Sequence, residues 1–331
     1  MQDHDVVGIG NAIVDIIGRC DDAFLARHGC SKGSMQLVDA AAVSKLYEAM
    51  GPGVEISGGS VANTMVGIAS LGGRAGFIGK TAGDQFGGVF GHDIRAAGVT
   101  FTTPPAGPGS APTGRCLVLV TPDGQRTMNT FLGVSPQLGS GEVDAALIGS
   151  ARIVYLEGYL FDRPQAKAAF RQAAEIAAKA GRQVALSLSD PFCVDRHRAE
   201  FLELIKGSVD ILLANEAEIT SLYQTASFDE AAKSVRGHTK LAALTRSEKG
   251  SVILSDGGPI QIAAAPVAKV VDTTGAGDLF AAGFLYGIAR GKSVEIAGRL
   301  GSLAAAEIIS HIGARPEVGL ADLARKQGLL A

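Results

Sequence analysis

Short apolar runs that alternate with longer segments of helical period narrow most sharply what this chain can fold into. Residues 6–9, 75–78, 153–156, 184–188, 211–213 and 241–245 read as strands. Between them lie segments of helical spacing. Asp39 is placed to cap a helix whose Val43, Leu46, Tyr47 and Met50 share a face, residues 86–97 form a helix ending at Gly98, and an alanine-rich helix runs from Pro164 to Ala180. Two more are expected over residues 278–289 and 293–309. Strands apolar on both faces must be covered on both, so the alternation predicts an α/β fold: a mostly parallel sheet flanked by helices. One stretch breaks the rhythm. TGRCLVLVTPDGQRTMNTFLG, residues 113–133, reads as two strands around the turn Pro122-Asp123-Gly124, and residues 13–17 and 35–38 also look extended. Together they predict a small β-lid, built from about residues 12–38 and 112–134 and inserted in a single domain spanning residues 1–331.

Composition removes several classes of function. With 47% apolar residues the chain can bury a sizeable core, so wholesale disorder is excluded. A net charge of −3 and the lack of any Lys/Arg run argue against nucleic acid as a partner. No apolar run is long enough to cross a bilayer, and MQDHDVVGIG has neither the basic nor the apolar region of a signal peptide. Cys20, Cys30, Cys116 and Cys193 form no C-x-x-C pair, so the expectation is a reduced, cytoplasmic protein with free thiols. The 44 glycines are spread along the chain, as in α/β enzymes whose backbone closes around ligands.

Three glycine motifs invite misreading. GGRAGFIGKT has Arg74 where a P-loop needs glycine, and VVGIGNAIVD has Ile13 in place of the third glycine of a dinucleotide fingerprint. Gly275-Ala276-Gly277 also begins as G-x-G but meets Phe280. These failures argue against a dehydrogenase. As an anion hole, Gly275, Ala276 and Gly277 make better sense: glycines let successive N–H groups point at one spot, and the helix behind adds its positive end. Asp278 repels an anion, so beside such a hole it suits a base that deprotonates a nucleophile attacking that anion. Spacing alone is equally satisfied by a helix cap fed by a glycine turn.

Three segments decide between these readings. VVDTTGAGDLFAAGF resembles the C-terminal signature of the ribokinase family (PfkB-type sugar and nucleoside kinases), and SGGSVANTMVGIASLGGRAGFIGKTAGDQFG, residues 57–87, resembles its N-terminal signature. DILLANEAEIT carries the family's N-x-x-E element as Asn215 and Glu218, and the three stand in the family's order across nearly the whole chain. GNAIVD, GGSVAN and LSDPF look most like the adenosine kinase branch. The resemblance implies a ribokinase-like doubly wound domain with a β-lid that transfers the γ-phosphoryl of ATP to a hydroxymethyl group. Asp278 would then be the general base, and the amides of Gly275, Ala276 and Gly277 would hold the developing charge.

The same resemblance distributes further roles. Asn215 and Glu218 would act on Mg²⁺ through its waters, though a strand-to-helix junction also favours such a pair. Thr245 and Gly250 fall where the family holds the nucleotide, with Ser247 standing where many members have glycine. Asp272 and Thr274, with the backbone near Ile308 and Gly313, resemble a monovalent-cation site, with K⁺ as the ion. On the acceptor side Asp15 matches the carboxylate that binds sugar hydroxyls, and Gly58, Gly59, Asn63 and Asn11 match segments around the sugar. Arg126 matches a lid arginine that closes over the phosphates. Tyr159, Leu160, Phe161 and Leu37 are candidates for contact with a purine, while Glu157 suits a sugar hydroxyl. The expected reaction is phosphorylation of the 5′-hydroxyl of adenosine or a related nucleoside. A sugar kinase of the same family (fructose, ribose or a keto-deoxy sugar acid) and a catalytically silent ligand-binding protein are the alternatives. A homodimer through the lid is left open.

Overall fold

The computed structural model describes residues 3–331. Strands among them are numbered in chain order: β1 (His4–Ile9), β2 (Ile13–Arg19), β3 (Met35–Leu37), β4 (Gly53–Gly58), β5 (Ala75–Ile78), β6 (Val99–Phe101), β7 (Gly114–Val120), β8 (Arg126–Phe131), β9 (Ala151–Glu157), β10 (Gln183–Ser187), β11 (Ile211–Asn215), β12 (Leu241–Thr245), β13 (Ser251–Ser255) and β14 (Gly258–Ile262). The larger sheet runs β14-β13-β12-β11-β10-β9-β1-β5-β6. Every neighbouring pair from β12 to β6 is parallel, and β13 and β14 finish one edge as antiparallel strands.

Successive residues of these strands enter two different apolar layers. Val6, Phe77, Ile153, Tyr155, Ala185 and Leu213 pack with helices Ser60–Ser70, Ala276–Ala289 and Val294–Ile308. Val7, Ile78, Val154, Leu156, Val184 and Leu212 pack with helices Pro164–Lys179, Pro191–Ser208 and Phe228–Arg236. Coverage on both faces is why the strands read as continuous apolar runs.

The strand order reverses at β1, which lies between β5 and β9. Such a reversal leaves a crevice at the carboxyl ends of the strands, where α/β sheets bind ligands. Here it gathers Asn11, Ile78 and Glu157, and the Gly10 amide donates to Ile78 O at 3.1 Å. The chain passes from β1 directly into β2, so the lid rises from the rim of the crevice.

The lid is a five-stranded sheet ordered β3-β8-β7-β2-β4. Its fifth strand, β4, lies outside the segments expected to form it. With a glycine at each end, GVEISG gives little β signal, and its position is fixed by antiparallel pairing with β2 over Ile13–Gly18. One lid face, with Val14, Ile16, Leu117 and Leu119, packs on Leu25, Val43 and Leu46 from helices Asp22–Arg27 and Ala40–Ala49. The other carries Ile13, Cys116, Val118 and Val120, with Ile17, Met128 and Leu132 packed beside them.

Between β12 and β13 the chain makes a single 3₁₀ turn closed by an Arg246 N–H bond to Gly250 O at 2.7 Å. Gly250 has φ +79°, and a Cβ there would meet Ile262 O at 2.1 Å, so glycine is required. Ser247, exposed in the same turn, holds φ +52°. An L-residue in the left-handed region costs about 1 kcal/mol. The turn therefore keeps a glycine-like conformation with a serine in it. Ser247→Gly is expected to raise stability by about 0.5 kcal/mol, the relief of strain exceeding the added freedom of the unfolded chain. Thermal unfolding checks this, and a fall in Tm on substitution contradicts it.

Candidate active site

Two helices meet at the crevice by their N-termini, and both begin at a glycine of positive φ with no side-chain cap. Gly59, φ +101°, precedes helix Ser60–Ser70, and Gly275, φ +77°, precedes helix Ala276–Ala289. A Cβ on Gly59 would lie 2.2 Å from Asn11 O, and one on Gly275 would lie 2.9 Å from the Ala314 Cβ. By contrast, the helices starting after Asp39, Asp84, Asp190 and Ser293 are capped by those side chains. An uncapped start leaves amides of the first turn pointing outward beside the positive end of the helix. Of the expected anion-hole donors, the Ala276 amide makes a long 3.2 Å turn bond to Thr273 O. Gly277 sits exposed in the first turn.

Asp278 joins the two helices. Ser60 Oγ donates to its Oδ1 at 2.6 Å and Asn63 Nδ2 to its Oδ2 at 2.9 Å, while Thr64 Oγ1 donates to its backbone carbonyl at 3.0 Å. Burial pushes the Asp278 carboxyl up from the ordinary carboxylate range, and the Ser60 and Asn63 bonds and the Arg315 charge pull it partly back. The result is a more basic carboxylate, held in one orientation by two donors. Asn63 Oδ1, buried and without a hydrogen-bond partner among the described residues, is available to a ligand donor.

The sugar-side residues divide into a scaffold and a recognition group. Glu157, 1% exposed at the end of β9, accepts from Asn11 Nδ2 at 2.6 Å, Asn11 N at 3.3 Å and Val61 N at 3.0 Å. Asn11 Oδ1 in turn accepts from Ser135 Oγ at 2.9 Å, and Ser135 Oγ accepts from Ala12 N at 2.8 Å. Asn11 and Glu157 thus bind each other and tie β1, β9 and helix Ser60–Ser70 together. Burial raises the Glu157 carboxyl to about 7, opposed by these same bonds. Asp15 is different: among the described residues no backbone amide donates to it, and it stands on the lid face that carries Ile13, Ile17 and its β7 partner Cys116. Burial lifts it to about 6, against the lowering pull of Arg315 and Arg126. A Cβ on Gly58 would come within 2.4 Å of an Asp15 oxygen, so glycine there makes room for the carboxylate.

On the far side of Asp278, Asn215 and Glu218 form a reciprocal capping box at the start of helix Glu216–Tyr223. The Glu218 amide donates to Asn215 Oδ1, and Glu218 accepts from Asn215 N at 2.9 Å and Nδ2 at 2.6 Å. The cap and the pair expected on the metal side are therefore the same two residues. Burial, aided by the Asp190 charge, raises Glu218 to about 7. Tyr159 lies within the field of Asp190, Asp278, Glu218 and Glu157, and its hydroxyl is pushed far up by burial and these acids. Among the described residues no three of the His, Cys, Asp and Glu side chains come close enough together to hold a metal ion by themselves. Thr245, at the end of β12, pairs with Asn215 across the sheet and with Ser251. Asp272 accepts from Thr274 N and Gly313 N, each at 3.0 Å, and forms a buried ion pair with Arg126. The lid arginine expected over the phosphates rests on Asp272 instead.

Of the four candidates for a purine contact, Leu160 and Phe161 are core residues, 0% and 3% exposed, with Phe161 stacked on Phe201 at 4.1 Å. Tyr159 remains accessible beside the acids, and Leu37 is 65% exposed on the lid's edge strand. Sequence reasoning left out Arg315. Its Nε donates to Ser57 O at 2.9 Å and Nη1 to Ala62 O at 3.0 Å, which fixes the guanidinium in the field of Asp15 and Asp278. Burial lowers it to about 10. The arginine lies outside the three signatures, two residues past Gly313, and no local spacing marks it. Ser60 and Thr64 lay inside the N-terminal signature, where Ser60 stands one turn before both Asn63 and Thr64.

The sequence profile of the pfkB family of carbohydrate kinases matches residues 46–318. The structure is similar to that of a probable sugar kinase protein from Rhizobium etli CFN 42 (49% identity, 100% of both chains, TM-score 0.92). It is equally similar to adenosine kinase from Sinorhizobium meliloti, with 51% identity over 98% of this chain and 99% of that one and a TM-score of 0.90. Among curated proteins, 5-dehydro-2-deoxygluconokinase of Bacillus subtilis (strain 168) is 28% identical, covering 76% of this chain and 80% of the relative. The large, mostly parallel sheet, the uncapped glycine turn before Asp278 and these matches agree: the chain is a kinase of the pfkB carbohydrate kinase family.

Proposed function

We propose that this kinase phosphorylates the 5′-hydroxyl of a nucleoside, with adenosine as the acceptor and ATP as the donor. The observation that carries the reading is the lid face bearing Asp15. One carboxylate, suited to a pair of ribose hydroxyls, stands among Ile13, Ile17, Cys116, Met128 and Leu132, with the Arg126 and Arg315 guanidiniums in its field. An apolar wall of that extent suits a flat base attached to a ribose, and a small, fully hydroxylated sugar would leave it uncovered. Glu157, the residue that suits a sugar hydroxyl, has its oxygens engaged by Asn11 and Val61. The 51% identity to a protein described as an adenosine kinase supports the same reading.

In this assignment the acceptor hydroxyl points at Asp278, which takes its proton as the hydroxyl oxygen attacks the γ-phosphorus of ATP. Ser60 and Asn63 keep both carboxylate oxygens oriented, so no side-chain rotation precedes the transfer. The amides of Gly275 and Gly277 and the helix end behind them face the charge on the transferring group. Thr245 and Gly250 lie on the nucleotide side. A cavity of about 560 Å³ between residues 263–268 and helix Val294–Ile308, lined in part by Val267, Leu303 and Ala306, suits the base of ATP. Glu218 and Asn215 would hold Mg²⁺ through water, and the ion when bound neutralises phosphate charge. Arg315 balances Asp15 and Asp278 from behind.

Three outcomes test the proposal. A panel of nucleosides and sugars with ATP is expected to give turnover with adenosine; phosphorylation of fructose, ribose or a keto-deoxy sugar acid without adenosine turnover overturns it. Asp278→Asn should lower kcat by on the order of 10²–10⁴ with little change in ATP affinity, and a variant of near-full kcat removes Asp278 from the base role. Asp15 should bind ribose only as the carboxylate, so KM for the acceptor should rise as pH falls through about 6. An Asp15→Asn variant should lose that dependence, and an unchanged KM–pH profile would contradict the assignment.

A further inference from the structure

Asp272 and Thr274 stand where a monovalent cation is expected, and the charge arrangement around them does not suit one. The Asp272 carboxylate is almost wholly buried, and each of its oxygens already accepts a backbone N–H, Oδ1 from Thr274 and Oδ2 from Gly313. The Asp272 and Val271 amides both donate to Ile309 O, so the segment is knitted to the end of helix Val294–Ile308. Onto Oδ2 comes the guanidinium of Arg126, carried there by β8 of the lid. The two side chains are 8% and 5% exposed. A guanidinium in that position supplies one permanent positive charge to one buried carboxylate. A second monocation beside it would be dehydrated only to meet a like charge and a carboxylate already neutralised.

Arg126 has little else to hold it there. Among the described residues its buried Nε and Nη1 make no hydrogen bond, so the Asp272 pairing is a contact of charges, and Asp15 also favours the ionised guanidinium. The guanidinium thus lies between the acceptor-side carboxylate and Asp272. From Asp272 the chain reaches the anion turn at Gly275 in three residues. A monovalent ion at Asp272 would act electrostatically on that turn, and the lid arginine brings the same single charge covalently.

We propose that Arg126 replaces the monovalent cation at Asp272, so that this kinase works without K⁺ and receives that charge through its lid. A cation that binds the folded state alone raises Tm, which gives a readout independent of turnover. Wild-type protein in about 0.1 M KCl and in choline chloride of equal ionic strength should unfold at the same temperature and differ less than about twofold in rate. Arg126→Gln uncovers the Asp272 charge and should acquire a K⁺-specific rise in Tm together with a several-fold activation by K⁺. Adding Asp272→Asn to that variant should abolish the acquired response. A K⁺-dependent Tm or rate in the wild type overturns the proposal. So does a folded Arg126→Gln protein indifferent to K⁺, or a double variant that still responds, since the cation would then bind elsewhere.

Discussion

Asp278 is a half-buried carboxylate at the meeting of two helix N-termini, and the rest of the site is arranged around keeping it there. Burial alone would neutralise such a group. Ser60 and Asn63 donate to its two oxygens and Arg315 adds a compensating charge, so a base of raised pKa persists in a fixed orientation. Those residues come from β4's neighbouring helix and from the C-terminal loop, more than 200 residues apart in sequence for the Asn63–Asp278 pair. The topology has to be right before the base exists.

The constraint explains several features that look unrelated. Gly59 and Gly275 are needed because each helix must begin without a side-chain cap and against a neighbouring backbone or side chain. The Asn11–Glu157–Val61 network fixes helix Ser60–Ser70 against the ends of β1 and β9, and so fixes Ser60 and Asn63. Arg315 ties the loop after helix Val294–Ile308 to Ser57 and Ala62. The Ser57 carbonyl that receives it belongs to β4, whose Ser57 amide and hydroxyl are in turn held by Asp93 at 2.7 and 2.6 Å. Lid, sheet and C-terminal loop therefore converge on one carboxylate, and the lid contributes charge of its own through Arg126.

Much of the fold was legible in the sequence. The parallel strands gave continuous apolar runs because both faces are covered, and two of the signatures contain Asn63 and Asp278, which the structure joins by a hydrogen bond. What stayed hidden depends on distance along the chain. β4 carries too little β signal to stand out, and its pairing with β2 decides its place. Arg315 looks like any loop arginine until the fold brings it to Ser57. Glu157 reads as a hydroxyl-binding acid in isolation, while the fold occupies it with Asn11. Asn215 and Glu218 admitted two readings, a helix cap or a metal-side pair, and the structure shows the cap.

The most direct test is a crystal structure with adenosine and a non-hydrolysable ATP analogue. It should place the acceptor 5′-oxygen within about 3 Å of an Asp278 carboxylate oxygen, with the γ-phosphate at the turn from Gly275 to Gly277. A 5′-oxygen bonded to Asp15 or Glu157, with Asp278 still held only by Ser60 and Asn63, would contradict the account.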